Sequence, residues 1–273
     1  MLRAVRIIAY QNMASYRKPT AIAIQDSFKL PPYSTVIGMV HNACGWNSYH
    51  PMRVSISGNH VTSISDMYTR YFFGQTLQYE KGYIRQQLYT VNIPGEELGG
   101  PVSELKSDGS DKDGKDGIVR GLGYAELIVD VELVLYIVPE DESDLEEIKQ
   151  GLLYPIKFPS LGRHEDILRI DDVSIVELQQ QSGDKKDKNQ KFSSEYDCLI
   201  PMQEYEKLGL NATGTVYNFN KVFQTVDQTG KPLKYRKITE RIKAKLIKKG
   251  GQIFYANAWY DELDGKKIGV FLA

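Results

Sequence analysis

The sequence predicts an α+β protein with the split βαβ order of ferredoxin-like domains. Three stretches predict it: 32–44 has apolar residues at helical spacing, 124–138 is rich in Val, Ile and Leu, and 141–153 is amphipathic. With 273 residues the chain can bury a substantial core. We therefore expect a strand, a helix, two strands, an insertion, a long strand and a second helix, in this order.

A first strand is expected over residues 2–10, which alternate weakly and are rich in Val and Ile. Residues 11–29 then form a polar connection that contains Arg17 and Lys18. Because Lys18 precedes a proline, its backbone is held in an extended conformation. This connection leads directly into the first helix.

The first helix is expected over 32–44, where apolar residues recur at i, i+1, i+3, i+4, i+7 and i+8. Proline is tolerated in its first turn, and Gly45 can take the left-handed conformation that ends a helix. The polar start of the helix carries Ser34 and Thr35. Its amides and dipole suit a phosphate, whereas a role limited to capping the helix is the alternative.

Two strands are expected next, over 53–57 and 60–73, joined by Gly58 and Asn59 in a tight hairpin turn. The stretches 69–74 and 79–89 then place arginines among aromatic residues. Such mixtures are suited to stacking on unpaired bases. An ordinary antiparallel ribbon with tyrosines packed on its rim is the alternative.

The long strand is expected over 124–138 and ends at Pro139. A second helix over 141–153 has an acidic first turn, which suits the helix dipole. Its buried face is expected to consist of Leu145, Ile148, Leu152 and Leu153. The charged, glycine-rich stretch 103–117, which lies before the long strand, predicts a mobile loop at the tip of an insertion.

A glycine loop over 158–170 follows the second helix and contains Gly162, Arg163 and His164. Since Gly162 has no side chain, such a loop can approach a sugar–phosphate backbone closely. A left-handed turn with a surface arginine is the structural alternative.

The C-terminal part predicts short strands over four stretches, namely 213–221, 233–239, 252–259 and 267–272. A charged loop at 183–191 precedes them and marks a subdomain boundary. The segment 231–249 is dense in Lys and Arg, with Glu240 its only acidic residue. It is a candidate phosphate-facing patch, and a solvated basic face is the alternative.

Bulk composition excludes several classes of protein. The 34 Lys and Arg nearly balance the 35 Asp and Glu, so the chain as a whole is not a polycation. Cys44 and Cys198 suggest reduced thiols in a cytoplasmic protein, and two cysteines with four histidines argue against a metal site. We find no signal peptide, membrane span, Walker loop or hydrolase motif, and expect neither a cofactor nor a membrane partner.

Several of these motifs together resemble one family. Residues 30–46, LPPYSTVIGMVHNACGW, are the most specific, and Arg17-Lys18-Pro19, the loop 159–166, the strand 131–138 and the ending 270–272 are also similar. They resemble the CRISPR-associated RAMP superfamily, and within it Cas family five, the Cascade subunit that caps the 5′ handle of the CRISPR RNA (crRNA). The nearest variants are those of type I-B systems.

The resemblance implies an RRM-like palm over 1–182 with an inserted β-hairpin thumb at about 75–122, and a C-terminal β-rich subdomain over 192–273. Its implied partners are the crRNA 5′ handle, the large and backbone subunits of Cascade and, through the complex, target DNA. It implies no catalytic residue. The handle contacts that it implies, with three insertion residues added for their charge and aromatic context, are Arg17, Lys18, Tyr33, Ser34, Thr35, Arg70, Arg85, Gln86, Gly162, Arg163 and His164.

Two other functions remain open. The first is a metal-independent endoribonuclease that cuts CRISPR repeats, as type I-C relatives do with a Lys-His pair and a tyrosine. No Lys-His dipeptide occurs here, although His164 or His41 could act as the base. The second is a small-ligand or protein-interaction module that shares only the ferredoxin-like shape.

Overall fold

The computed structural model describes residues 2–19, 24–73, 89–90, 118–180, 191–208, 210, 212–227, 234–254 and 257–273. Over these residues the chain forms a mainly antiparallel sheet with three helices, which confirms the α+β class. The helices are α1 (Tyr33–Cys44), α2 (Asp144–Leu153) and α3 (Met202–Lys207). The strands are β1 (Leu2–Ala14), β2 (Tyr16–Arg17), β3 (Ile24–Gln25), β4 (Ser27–Phe28), β5 (Met52–Asn59), β6 (Thr62–Phe73), β7 (Tyr89–Thr90), β8 (Ile118–Pro139), β9 (Arg169–Gln180), β10 (Lys191–Ser193), β11 (Asp197–Pro201), β12 (Thr215–Asp227), β13 (Lys234–Ile247), β14 (Gln252–Phe254), β15 (Trp259–Leu263) and β16 (Lys266–Val270).

One large sheet contains most of these strands, in the order β12-β13-β11-β5-β8-β1-β9-β15-β16, and β3, β6 and β7 also pair with β8. The 22-residue β8 pairs antiparallel with both β1 and β5. Strands from the C-terminal part of the chain extend both ends of this order. The predicted short strands at 213–221 and 233–239 are in fact β12 and β13, which have 13 and 14 residues.

Helices α1 and α2 pack against each other and against the sheet, α1 on β5 and β12 and α2 on β1 and β9. Alternate residues of β1, such as Val5 and Ile7, are buried in the same apolar cluster as both helices. Residues of the opposite parity, such as Ala4, pack with Tyr136 of β8 and Ile268 of β16 in a separate cluster. The sheet is therefore buried on both faces at β1.

The chain divides into two compact units. The first comprises 1–18, 27–64 and 127–273, and the second comprises 19–26 and 65–126. The predicted subdomain boundary at 182–192 does not coincide with this division and stays a prediction. Most of the predicted thumb, with Arg85 and Gln86, lies outside the described residues, and only the backbone of Arg70 is described, in β6.

The hairpin predicted at Gly58 and Asn59 is wrong. Both residues lie within β5, opposite Leu133 and Glu132 of β8, and β5 and β6 each pair with β8. A Cβ at Gly58 would stand 2.4 Å from the Glu132 carbonyl oxygen. The glycine therefore serves a close approach of two strands rather than a turn.

Two further expectations need correction. Helix α2 begins at Asp144, three residues later than predicted, because Asp141 accepts hydrogen bonds from the Ser143 backbone N–H and hydroxyl ahead of it. Leu153, expected on the buried face of the helix, is 44% exposed. Strand β9 is not among the predicted strands, since its exposed and half-buried residues follow no clear alternation.

Candidate nucleic-acid interface

Helix α1 begins one residue after the predicted start and ends where the sequence predicts. Pro32 occupies its N-cap, Gly45 ends it with a φ of 71°, and no side chain caps its start. The Pro32 carbonyl accepts hydrogen bonds from the Thr35 and Val36 backbone N–H groups at 3.0 and 3.3 Å. Ser34 and Thr35 are half-buried and neither side chain caps the helix, so the capping alternative does not describe it.

Tyr33 is a core residue, which corrects its prediction as a side chain facing RNA. It is fully buried, and its ring packs edge-on against Phe219 of β12 at 5.8 Å between centroids. Phe219 in turn lies 4.7 Å from the ring of Phe28 in β4. Burial raises the pKa of the Tyr33 hydroxyl above its ordinary value. This side chain fixes the start of α1 to the sheet.

The glycine loop is anchored on the chain just before Arg17. Gly162 has a φ of 113°, and a Cβ there would stand 2.8 Å from Asp166 Oδ2 and 2.9 Å from the Ser15 carbonyl oxygen. Glycine is therefore required by internal packing and by backbone conformation. This reason differs from the predicted one, which was a close approach by a sugar–phosphate backbone.

Asp166 is the residue that holds this loop together. Its carboxylate is 2% exposed and accepts hydrogen bonds from the backbone N–H groups of Ser15 and Arg163, both at 2.9 Å. It also accepts the Arg163 guanidinium in a forked arrangement, at 2.7 Å from Nη2 and at 3.1 and 3.2 Å from Nε. Sequence reasoning did not single out Asp166, although an acid three residues after an arginine was a visible signal.

Gln11 continues this buried network on β1, and it too was not singled out. Its amide nitrogen donates to the carbonyls of Leu161 and Asp166, each at 2.9 Å. Its amide oxygen accepts a 2.6 Å hydrogen bond from the hydroxyl of Tyr16, whose own backbone N–H donates to Ser27. The loop, β1, β2 and β4 are thereby joined into one rigid assembly.

Arg163 and His164, the loop residues whose side chains were predicted to contact RNA, differ in how exposed those side chains are. The Arg163 side chain is 30% exposed and forms ion pairs with both Asp166 and Glu165, so its charge is offset within the loop. Its predicted contact with RNA stays a prediction, and the fork with Asp166 also gives it a positioning role in the loop. The His164 side chain is 98% exposed, with Nδ1 at 2.8 Å from Glu165.

Arg17 and Lys18 lie directly beside this assembly. Arg17 is exposed on β2, which pairs with β4. The Nζ atom of Lys18 stands 5.9 Å from the ring centroids of both Phe28 and Tyr217, so its position is restrained by aromatic faces. The structure thus joins the glycine loop to Ser15, two residues before Arg17, and Tyr33 at the start of α1 packs on the rings of β12 and β4 that also restrain Lys18.

The described part of the chain shows no group of three or more His, Cys, Asp or Glu side chains that could bind a metal. Neither does any of its helices have the length and apolar character needed to cross a membrane.

These features define a mainly antiparallel α+β protein in which a glycine loop holds the chain just before the cations Arg17 and Lys18. The family model described as "CRISPR-associated protein (Cas_Cas5)" matches residues 7–197, and the chain belongs to this family. No curated protein matches the sequence.

Among solved structures, the fold is similar to a chain described as a "CRISPR RNA-guided surveillance complex", with a TM-score of 0.52, 14% identity and 90% of each chain covered. Two weaker matches are a "CRISPR protein from Archaeoglobus fulgidus" (TM-score 0.44, 9% identity, 100% of each chain) and a "Type III-B Cmr-beta" complex (TM-score 0.37, 10% identity, 91% of this chain and 85% of that one).

Proposed function

We propose that this chain is the cytoplasmic RNA-binding subunit of a type I CRISPR effector of the Cascade kind, closest to type I-B. It holds the 5′ handle of the crRNA, bridges the large and backbone subunits, and contributes to DNA targeting through the assembled complex. Membership of the Cas5 family supports this proposal. We further propose that the part of the chain that contains β1, β8, α1 and α2 is the ferredoxin-like, RRM-like palm.

One observation carries the proposal: a buried network fixes Ser15 to the glycine loop two residues before Arg17. A restrained backbone holds Arg17 and Lys18 in place, so less conformational entropy is lost when they bind phosphates. The exposed His164 and the hydroxyls of Ser34 and Thr35 complete the proposed contact surface. Tyr33, Gly162 and Arg163 support this surface from beneath.

An exposed apolar segment supports a role inside a complex. After α2, the side chains of Tyr154, Ile156 and Phe158 are 78%, 70% and 87% exposed. Neighbouring exposed apolar groups of this size are typical of protein–protein contacts. We propose that a partner subunit covers them, and that Tyr154→Ser with Phe158→Ser reduces co-purification of the complex without reducing RNA binding by the isolated chain.

The test measures binding of a repeat-derived RNA with a constant 5′ end, by fluorescence anisotropy over a salt series. Replacing Arg17 and Lys18 by Gln should reduce the salt slope by about 1.4, because each lost phosphate contact on a single strand removes about 0.7. The matched control replaces two lysines elsewhere, Lys149 and the exposed Lys157, by Gln. Equal slopes for the two double variants would contradict the proposed handle site.

We propose that the chain binds this RNA without cutting it. Incubating the purified protein with repeat RNA in EDTA tests the alternative of a metal-independent endoribonuclease. We expect the RNA to remain intact. A specific cut would overturn the proposal, and loss of that cut in His164→Ala would then identify the base.

A further inference from the structure

The ribbon formed by β12 and β13 concentrates positive charge in a chain whose formal net charge is −1. Residues 215–249 contain ten Lys and Arg but only two acids, Asp227 and Glu240, so the rest of the chain carries net negative charge. The ribbon lies at one end of the large sheet, where β12 is the terminal strand in the strand order. A local field of this kind attracts polyanions even when the whole chain is nearly neutral.

Three of these cations already have partners. Lys221 pairs with Glu240 at 3.1 Å, and Lys248 pairs with Asp197 at 2.6 Å. Lys245 donates to the Ala212 carbonyl and stands 4.0 Å from the ring centroid of Tyr205. These side chains contribute to the stability of the fold and are not available to a ligand.

Four exposed cations of β13 form no ion pair within the described residues; we call them the basic ribbon, and they are Arg236, Lys237, Arg241 and Lys243. They span about 24 Å along the strand, at roughly 3.4 Å per residue, and of the adjacent Arg236 and Lys237 only one can share a face with Arg241 and Lys243. Like charges this close repel one another, so they are a cost to the fold unless something of opposite charge offsets them.

The register places amides beside two of these cations. Asn218 of β12 lies opposite Lys243, and Asn220 lies opposite Arg241. Residues opposite each other in an antiparallel pair share a face, and Phe219, on the other face, is buried against α1. The outer face therefore presents Lys, Arg and Asn side chains together, which are the types that contact phosphate and sugar.

We infer that the outer face of the basic ribbon is a second nucleic-acid site, which binds the sugar–phosphate backbone of one strand without reading its sequence. It is separate from the proposed handle contacts at Arg17 and Lys18. A protein partner would require an apolar patch at the centre of this face. In the described part of β12, Val216 is the one exposed apolar side chain, so the face offers no such patch there. A polyanion satisfies the unpaired charges without such a patch.

The experiment uses the full chain with fluorescent probes that lack the handle sequence: single-stranded RNA, single-stranded DNA and duplex DNA of equal length. Replacing Arg241 and Lys243 by Gln should weaken binding of a single-stranded probe about tenfold at 0.15 M salt and lower the salt slope by about 1.4. The three probes distinguish which backbone the site prefers. The charge-conserving variant Arg241→Lys with Lys243→Arg should restore binding.

The controls separate this site from the handle site and from net charge. The Lys149→Gln and Lys157→Gln double variant removes the same charge and should stay within about twofold of the wild type. Adding the Arg17→Gln and Lys18→Gln pair to the Arg241 and Lys243 variant should add a further, separate loss, because two independent sites contribute additively. Wild-type affinity in the Arg241 and Lys243 double variant, or an equal loss in the charge control, would overturn the inference. Neither result would contradict the proposed handle contacts, which are tested separately.

Discussion

Replacing Asp166 by Ala should lower the free energy of unfolding by about 3–5 kcal/mol. The substitution leaves the buried Ser15 N–H without an acceptor, which costs roughly 1–3 kcal/mol. It also removes the forked ion pair with Arg163, whose side chain is 30% exposed. Breaking a buried pair by deleting one partner costs about 3–5 kcal/mol in total. Because the carboxylate is 2% exposed, water replaces little of what is lost.

The measurement is urea unfolding followed by far-ultraviolet circular dichroism, with thermal melting alongside. Glu165→Gln is the matched control: it alters the exposed partner of Arg163 and should change stability by less than about 0.5 kcal/mol. Arg163→Met should cost less than Asp166→Ala, because Asp166 keeps both of its backbone donors. The reasoning is refuted if Asp166→Ala is no more destabilising than Glu165→Gln.

Two further predictions concern the titratable groups of α1 and β11. Burial lowers the pKa of His41, whose Nδ1–H donates to the Ile37 carbonyl while Nε2 accepts the His50 N–H. Stability should therefore decrease as pH falls below the unfolded-state pKa of about 6.5, a dependence that His41→Gln should weaken in denaturation at several pH values. Burial raises the pKa of Cys44 to about 11 and that of Cys198 to about 12. Both thiols should react at least about 100-fold more slowly with a thiol reagent at pH 8 than after unfolding in urea, and Cys198 more slowly than Cys44; rapid native labelling would contradict this.

The sequence predicted helix α1 well because the signals for this helix lie within it and next to its two ends. The period of 32–44, its prolines and Gly45 predicted α1 with an error of one residue. The same pattern also contained a signal for Tyr33 that was missed, since it stands three residues before Val36 and four before Ile37, on the buried face of α1. Because the start of the helix was interpreted as polar, Tyr33 was wrongly expected to face solvent.

Non-local pairing was beyond such patterns. Gly58 and Asn59 look like a turn in sequence, yet their neighbours in β8 are more than seventy positions away. Asp166 looked like one more charged surface residue, and only its distant partners Ser15 and Gln11 explain its burial. The fork between Arg163 and Asp166, in contrast, is a local i,i+3 pair that the sequence already contained.

The charge balance of the glycine loop determines where a phosphate can bind. Residues 163–166 contain one arginine and two acids, both paired with that arginine, so Arg163 brings no uncompensated positive charge to the loop. Under the proposed function, the attraction comes from Arg17 and Lys18, which follow the Ser15 anchor of the loop. Arg163→Met should then weaken RNA binding without changing its salt slope, because it disturbs a support and removes no phosphate contact. A slope that falls as far as that of the Arg17 and Lys18 variant would return Arg163 to the contact surface.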